Sequence, residues 1–157
     1  MQVSSIRMRK LLGQPVSAPV LPEGSAFTPF IPEQHAEAVH RLLDAAYARG
    51  GGEVAPFADW WKQLEGDSEY DPSLVFLAIG QDGSLVGAAQ CWTSAFIKDL
   101  GVADGWRRRG IGTALLQQAF NVFALRGATS VELKVLADNP SGAERLYRIL
   151  GMTQVKV

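Results

Sequence analysis

The chain has 157 residues, 47% hydrophobic and 20% charged, with 15 basic and 16 acidic side chains for a formal net charge of -1. That length fits one domain with a proper core, and the balanced charge leaves no footprint for nucleic acid or a membrane surface. Cys91 is the only cysteine, which excludes an internal disulfide and a cysteine-rich metal site; no apolar run is long enough to span a bilayer, and Arg7, Arg9 and Lys10 precede no secretory signal, so a cytoplasmic protein without metal is expected.

Residues 1–24 hold little periodicity and contain Pro15, Pro19 and Pro22. They are read as a mobile N-terminal extension, and residues 25–157 as a single domain. Phe27 to Ile31 is a short edge strand, limited by Pro29. Pro32 to Arg49 carries Ala36, Val39, Leu42, Leu43 and Ala46 at helical spacing, and Gly50 to Gly52 stop it. A second short helix follows at about Pro56 to Gly66. Leu74 to Ile79 and Leu85 to Trp92 are strands joined by the turn Gly80-Gln81-Asp82-Gly83. Ser94 to Val102 is the next strand. Gly110 to Arg126 is an amphipathic helix with Gly127 as its C′ residue. Ser130 to Leu136 alternates as a strand, Pro140 to Leu150 is the last helix, and Met152 to Val157 is a final strand. Short hairpin links imply antiparallel pairing in the middle, and strand-helix-strand units imply parallel pairing later. The expected architecture is an α/β (α+β) fold, a mixed sheet with helices on both faces.

The run from Leu100 to Leu116 carries the chemistry. It reads as a strand end, a loop dense in arginine and glycine, and a helix, which presents unpaired amides and fixed positive charge to an anion such as pyrophosphate. Gly105 and Gly110 have Walker spacing, but Ile111 and Gly112 stand where Lys and Ser or Thr belong. Gly110 and Gly112 begin a dinucleotide fingerprint, but Leu115 occupies its third glycine position. The pattern that fits is Arg-x-x-Gly-x-Gly, given by Arg107, Gly110 and Gly112 after a strand ending in Val102. A second segment, Ala137 to Met152, contains Asn139, Ala143, Leu146, Tyr147, Gly151 and Met152.

In these two segments the chain resembles the GCN5-related N-acetyltransferase (GNAT) family. The likeness runs from about Pro22 to the C-terminus and is specific from about Phe96 to Met152. It implies a central mixed, mostly antiparallel sheet splayed between the fourth and fifth strands, Ser94–Val102 and Ser130–Leu136. It implies acetyl-CoA as co-substrate, with the pantetheine arm along the backbone of Leu100, Gly101 and Val102, Gly101 suiting close approach. The pyrophosphate would lie over Arg107, Arg108, Arg109, Gly110, Ile111, Gly112 and Thr113, with Arg107 as the motif position. Asn139 is read both as a coenzyme contact and as a helix cap before Pro140; it stands one residue further from Tyr147 than in many members, Gly142 lengthening the turn. Tyr147 is the family's general acid for the departing thiolate, with a core position on its helix face as the other reading.

An ammonium acceptor must lose a proton before it attacks a thioester. Asp99, on the strand that carries the acetyl group, is the first choice of base; Glu53, Asp59 and His40 are weaker, and His40 is read as structural. Phe57, Trp60, Trp61 and Trp92 are read as core or as an acceptor wall, and Cys91 is not a nucleophile. The activity expected is direct transfer from acetyl-CoA to a primary amine of a small molecule or peptide. The alternatives are a non-catalytic acyl-CoA sensor and a protein N-terminal or lysine acetyltransferase. Many relatives continue beyond Met152 into a further strand, so either a homodimer partner or the N-terminal extension is expected to complete the acceptor wall.

Overall fold

The unbroken apolar run Leu74 to Ile79 lies mid-sheet, where both faces are covered. The structure, a computed structural model, describes residues 5–50, 53–136 and 142–155. Its elements are β1 (Ser5–Leu11), β2 (Ser25–Pro29), α1 (Pro32–Gly50), α2 (Phe57–Glu65), β3 (Tyr70–Gly80), β4 (Leu85–Trp92), β5 (Phe96–Val102), α3 (Ile111–Leu125), β6 (Ser130–Leu136), α4 (Ala143–Ile149) and β7 (Thr153–Gln154). The strands form one seven-stranded sheet in the order β2-β3-β4-β5-β6-β1-β7. All neighbours are antiparallel except β5 and β6, which are parallel. This is the mixed, mostly antiparallel sheet expected from the sequence.

Successive strand residues point to opposite faces, so β3 feeds two cores. Leu74, Phe76 and Ala78 pack with Leu115 and Phe120 of α3. Val75 and Leu77 pack with Val39 and Leu43 of α1 and with Trp60 and Leu64 of α2. Two covered faces leave no solvent side to mark with polar residues, hence the continuous run. Among the described residues no helix is long and apolar enough to cross a membrane.

The structure corrects the sequence reading at the N-terminus. Ser5–Leu11 form β1, paired with β6 from Ser5↔Leu136 to Leu11↔Ser130 and with β7 at Met8↔Gln154 and Arg9↔Thr153. Ile6 and Met8 face the α3 core, with Met8 fully buried. Arg7 and Arg9 occupy the other face and both bridge Glu132, at 3.1 and 2.8 Å. The alternation was obscured by Lys10, which falls on the inner face and lays its amine 5.9 Å from the Phe120 ring centroid. Because β1 adds a strand, the expected fourth and fifth strands are β5 and β6 here.

Those two strands pair at Phe96↔Glu132 and Ile97↔Leu133, and the ladder goes no further. On the other side of β5, the register to β4 shifts between Cys91↔Ile97 and Gln90↔Asp99, which leaves Lys98 as an extra residue. A bulge of this kind bends its strand. It sits where β5 leaves β6 and opens the splay. At the C-terminal end, α4 starts at Ala143 behind Gly142, whose φ of 75° is left-handed. Pro140, where the sequence reading begins this helix, lies outside the described residues, as do Val157 and Lys156 of the expected final strand.

Candidate active site

The splay opens into a cavity of about 580 Å³, with Leu100, Gly101 and Val102 of β5 on one side and Leu133, Lys134 and Val135 of β6 on the other. The Ala103 amide donates to the Val86 carbonyl at 2.8 Å, continuing the pairing Gly87↔Val102 and Ala88↔Gly101. Antiparallel pairs alternate between bonded and non-bonded, so Gly101 turns its N–H and C=O to β4. Leu100 and Val102 therefore turn theirs towards the cavity. One position on the Val102 carbonyl is already taken, by Arg49 Nη2 at 2.7 Å.

The packing of α1 gives Gly101 a reason of its own to lack a side chain. A Cβ there would stand 2.9 Å from Leu42 Cδ2, 3.1 Å from Leu43 Cδ2 and 3.2 Å from Ala46 Cβ. The missing side chain lets α1 lie against the sheet, while the residue still borders the cavity.

Beyond Val102 the chain makes one 3₁₀ turn at Asp104–Trp106, and Arg107 is extended. Arg108 is left-handed at φ 61° and Gly110 at φ 97°, immediately before α3. Gly110 reaches that conformation without Cβ strain. The helix has neither a side-chain cap nor an acidic residue in its first turn. Its leading amides have no intrahelical acceptor, and its positive dipole end meets no carboxylate from its own first turn. Arg107, Arg108, Gly110, Ile111, Gly112 and Thr113 all border the cavity. Arg109 does not; its guanidinium stacks over Trp106, 4.1 Å from the ring centroid. Asn139 lies outside the described residues.

Tyr147 borders the cavity from α4 and is only 7% exposed. Burial pushes its phenol up to about 12, so it keeps its proton. Its ring also joins the α3-face core, the other reading of this residue. Asp99 is 5% exposed and does not itself border the cavity. Its carboxylate accepts a hydrogen bond from the Tyr47 hydroxyl, and Lys98 Nζ stands 3.2 Å from its other oxygen. Tyr47 does border the cavity. Its phenol is held far above the ordinary range, first by burial, then by the Asp99 charge and hydrogen bond.

Of the other candidates, Glu53 reaches the cavity. His40 bonds the Ala55 carbonyl at 2.7 Å and packs between the rings of Phe57 and Trp60, a structural place. Trp60 and Trp61 lie in the α1–α2 layer, their rings tilted at 38° with centroids 6.2 Å apart. Cys91 is buried, and burial pushes its thiol up, away from nucleophilic use. The sequence reading missed Tyr47, Arg49, Lys98, Lys134 and Ser5, which also border the cavity. Tyr47 carried one signal, a phenol directly beside the apolar stripe of a helix. Ser5 brings the N-terminal segment into the cavity wall.

A model of the acetyltransferase (GNAT) family matches residues 36–152. A mycothiol acetyltransferase from Thermobispora bispora is 32% identical over 161 residues, covering 94% of this chain and 53% of that protein. One from Beutenbergia cavernae is 37% identical over 99 residues, covering 59% of this chain and 33% of that protein. The crystal structure of a GCN5-related N-acetyltransferase from Sphaerobacter thermophilus superposes with a TM-score of 0.81 at 35% identity, covering 96% of this chain and 48% of that one. The chain thus spans about half, or less, of the length of these relatives.

Proposed function

The chain belongs to the acetyltransferase (GNAT) family, and on that premise we propose that it transfers the acetyl group of acetyl-CoA directly to a primary amine of a small molecule or peptide. The observation that carries the reading is one cavity that joins the open edge of β5 to the bare N-terminus of α3. Relatives named as mycothiol acetyltransferases support acetyl as the group transferred.

The residues present suit the donor. The amides of Ile111 to Thr113 and the Arg107 and Arg108 side chains would hold a pyrophosphate, and the outward N–H and C=O groups of Leu100 and Val102 would take the pantetheine arm as an added strand. Acetyl-CoA brings an already activated acyl group. The Leu100 amide, aimed into the splay, is placed to stabilise negative charge on the acyl oxygen. Tyr147, protonated and buried beside the same space, is placed to give its proton to the departing thiolate. Asp99 is the group that takes up the amine proton.

The test is thiol release from acetyl-CoA with a panel of primary amines. The expected result is acceptor-dependent release that saturates with one amine class. Tight acetyl-CoA binding without release for any amine would instead mark a sensor that keeps the fold and turns nothing over.

A further inference from the structure

We propose that Tyr47 receives the proton of the acceptor amine and passes its own hydroxyl proton to Asp99, with Gln90 accepting from the carboxyl that results. The inference deepens the acetyl-transfer reading of this cavity and rests on it.

Asp99 faces the α1 side of β5 and is closed off from the cavity, so an amine there meets Tyr47 first. The Tyr47 hydroxyl already donates to Asp99, which leaves its oxygen lone pairs for an incoming ammonium N–H. In the step, one ammonium N–H bond breaks and its proton joins Tyr47 Oη. At the same time the Tyr47 O–H bond breaks and that proton joins Asp99 Oδ1. A cation and a carboxylate become a neutral amine and a neutral carboxylic acid, and Tyr47 stays a phenol throughout. Burial and the Asp99 charge oppose a phenolate at Tyr47, which suits a group that passes protons without keeping the charge.

The new O–H on Oδ1 first points back at Tyr47 Oη, and it needs a second acceptor to turn away and free Tyr47 for another turnover. Gln90 stands directly opposite Asp99 across the β4–β5 pair. It is 1% exposed; its amide nitrogen donates to the Cys91 carbonyl at 3.1 Å, and its Oε1 has no hydrogen-bond partner among the described residues. Residues opposite each other on one face are within side-chain reach. An orphaned buried acceptor opposite Asp99 is costly while Asp99 is ionised, and would gain a donor if the protonated carboxyl turned to it. The charged and titratable groups nearest the pair are Lys98 on β5, Cys91 on β4 and Tyr147 on α4, and Arg49, Glu53 and Lys134 also border the cavity.

The experiment is kcat/KM against pH for the best primary alkylamine of the panel, for the intact chain, Tyr47→Phe and Asp99→Asn, with acetyl-CoA affinity and thermal midpoint as checks on folding. Near pH 7 both variants should lose about 100-fold, the lower range for acid–base catalysis. The loss should shrink at least about tenfold as pH approaches the amine's own pKa, where the amine arrives neutral and needs no relay. Gln90→Leu should give a smaller loss with the same pH trend. A loss that is flat with pH would assign Tyr47 a packing role and overturn the proposal, as would no loss at all. If Tyr47→Phe does not fold, the near-isosteric Asp99→Asn carries the same reading. An intact chain that releases no thiol with any amine overturns the acetyl-transfer reading itself, and this inference with it.

Discussion

At the end we assign to phosphate the cavity is bounded by one short segment, Arg107, Arg108 and Gly110 to Thr113; at the end we assign to the acceptor it is bounded by side chains of Tyr47, Lys98, Lys134 and Tyr147, drawn from separate elements. The first end presents main-chain amides fixed by a left-handed glycine and a helix start. The second presents two phenol hydroxyls that burial keeps protonated. The difference teaches what each end tolerates. A backbone site survives most side-chain changes and fails when the local backbone or charge is wrong, whereas a side-chain site loses its chemistry with a single oxygen and keeps its shape.

Removing that oxygen is the sharpest contrast. Tyr147→Phe should lower kcat by about 100-fold or more while leaving acetyl-CoA affinity within about twofold, read by thiol release and calorimetry. Loss of affinity instead would move Tyr147 from the chemistry to the binding of the donor. A second comparison divides the arginines. Arg107→Ala should weaken acetyl-CoA roughly tenfold, the scale of a charge-assisted hydrogen bond. Arg109→Ala should change it by less than about threefold, because its guanidinium is engaged on Trp106. Equal losses would mean that diffuse charge, not the geometry of the loop, holds the phosphates.

The smallest effect is on stability at alkaline pH. Tyr47 and Tyr147 both keep their protons above the ordinary phenol range in the folded chain, Tyr147 up to about 12. An unfolded phenol ionises near 10. Above that pH the unfolded state binds fewer protons, so the stability held below pH 10 falls as pH rises through 10 towards 12. Thermal midpoints from pH 9 to 11 should decline, and Tyr147→Phe should decline less steeply.

The loop before α3 was legible in the sequence because its residues are consecutive and their spacing is set by the turn they make. Gly110, Gly112 and Arg107 are found where that spacing places them. Most of the strands and helices were legible for the same reason, as period-2 or helical patterns between glycine and proline. The acceptor end was not, because contact between Tyr47 and Asp99 depends on how α1 crosses β5, and that packing is decided partly by Gly101. Asp99 stood out as a carboxylate on the right strand, but its closure behind Tyr47 follows from the bulge at Lys98, which no local pattern announces. β1 was missed since Lys10 falls on its buried face and breaks the apolar alternation.

The most direct test of the account is calorimetric titration of the chain with acetyl-CoA beside the double variant Arg107→Ala/Gly110→Asp. The variant puts a carboxylate on the positive helix end and a side chain at a φ of 97°. The account predicts micromolar binding by the intact chain and at least about a 100-fold weaker Kd for the variant, or about 2.8 kcal/mol. No binding by the intact chain, or equal binding by both proteins, would contradict it.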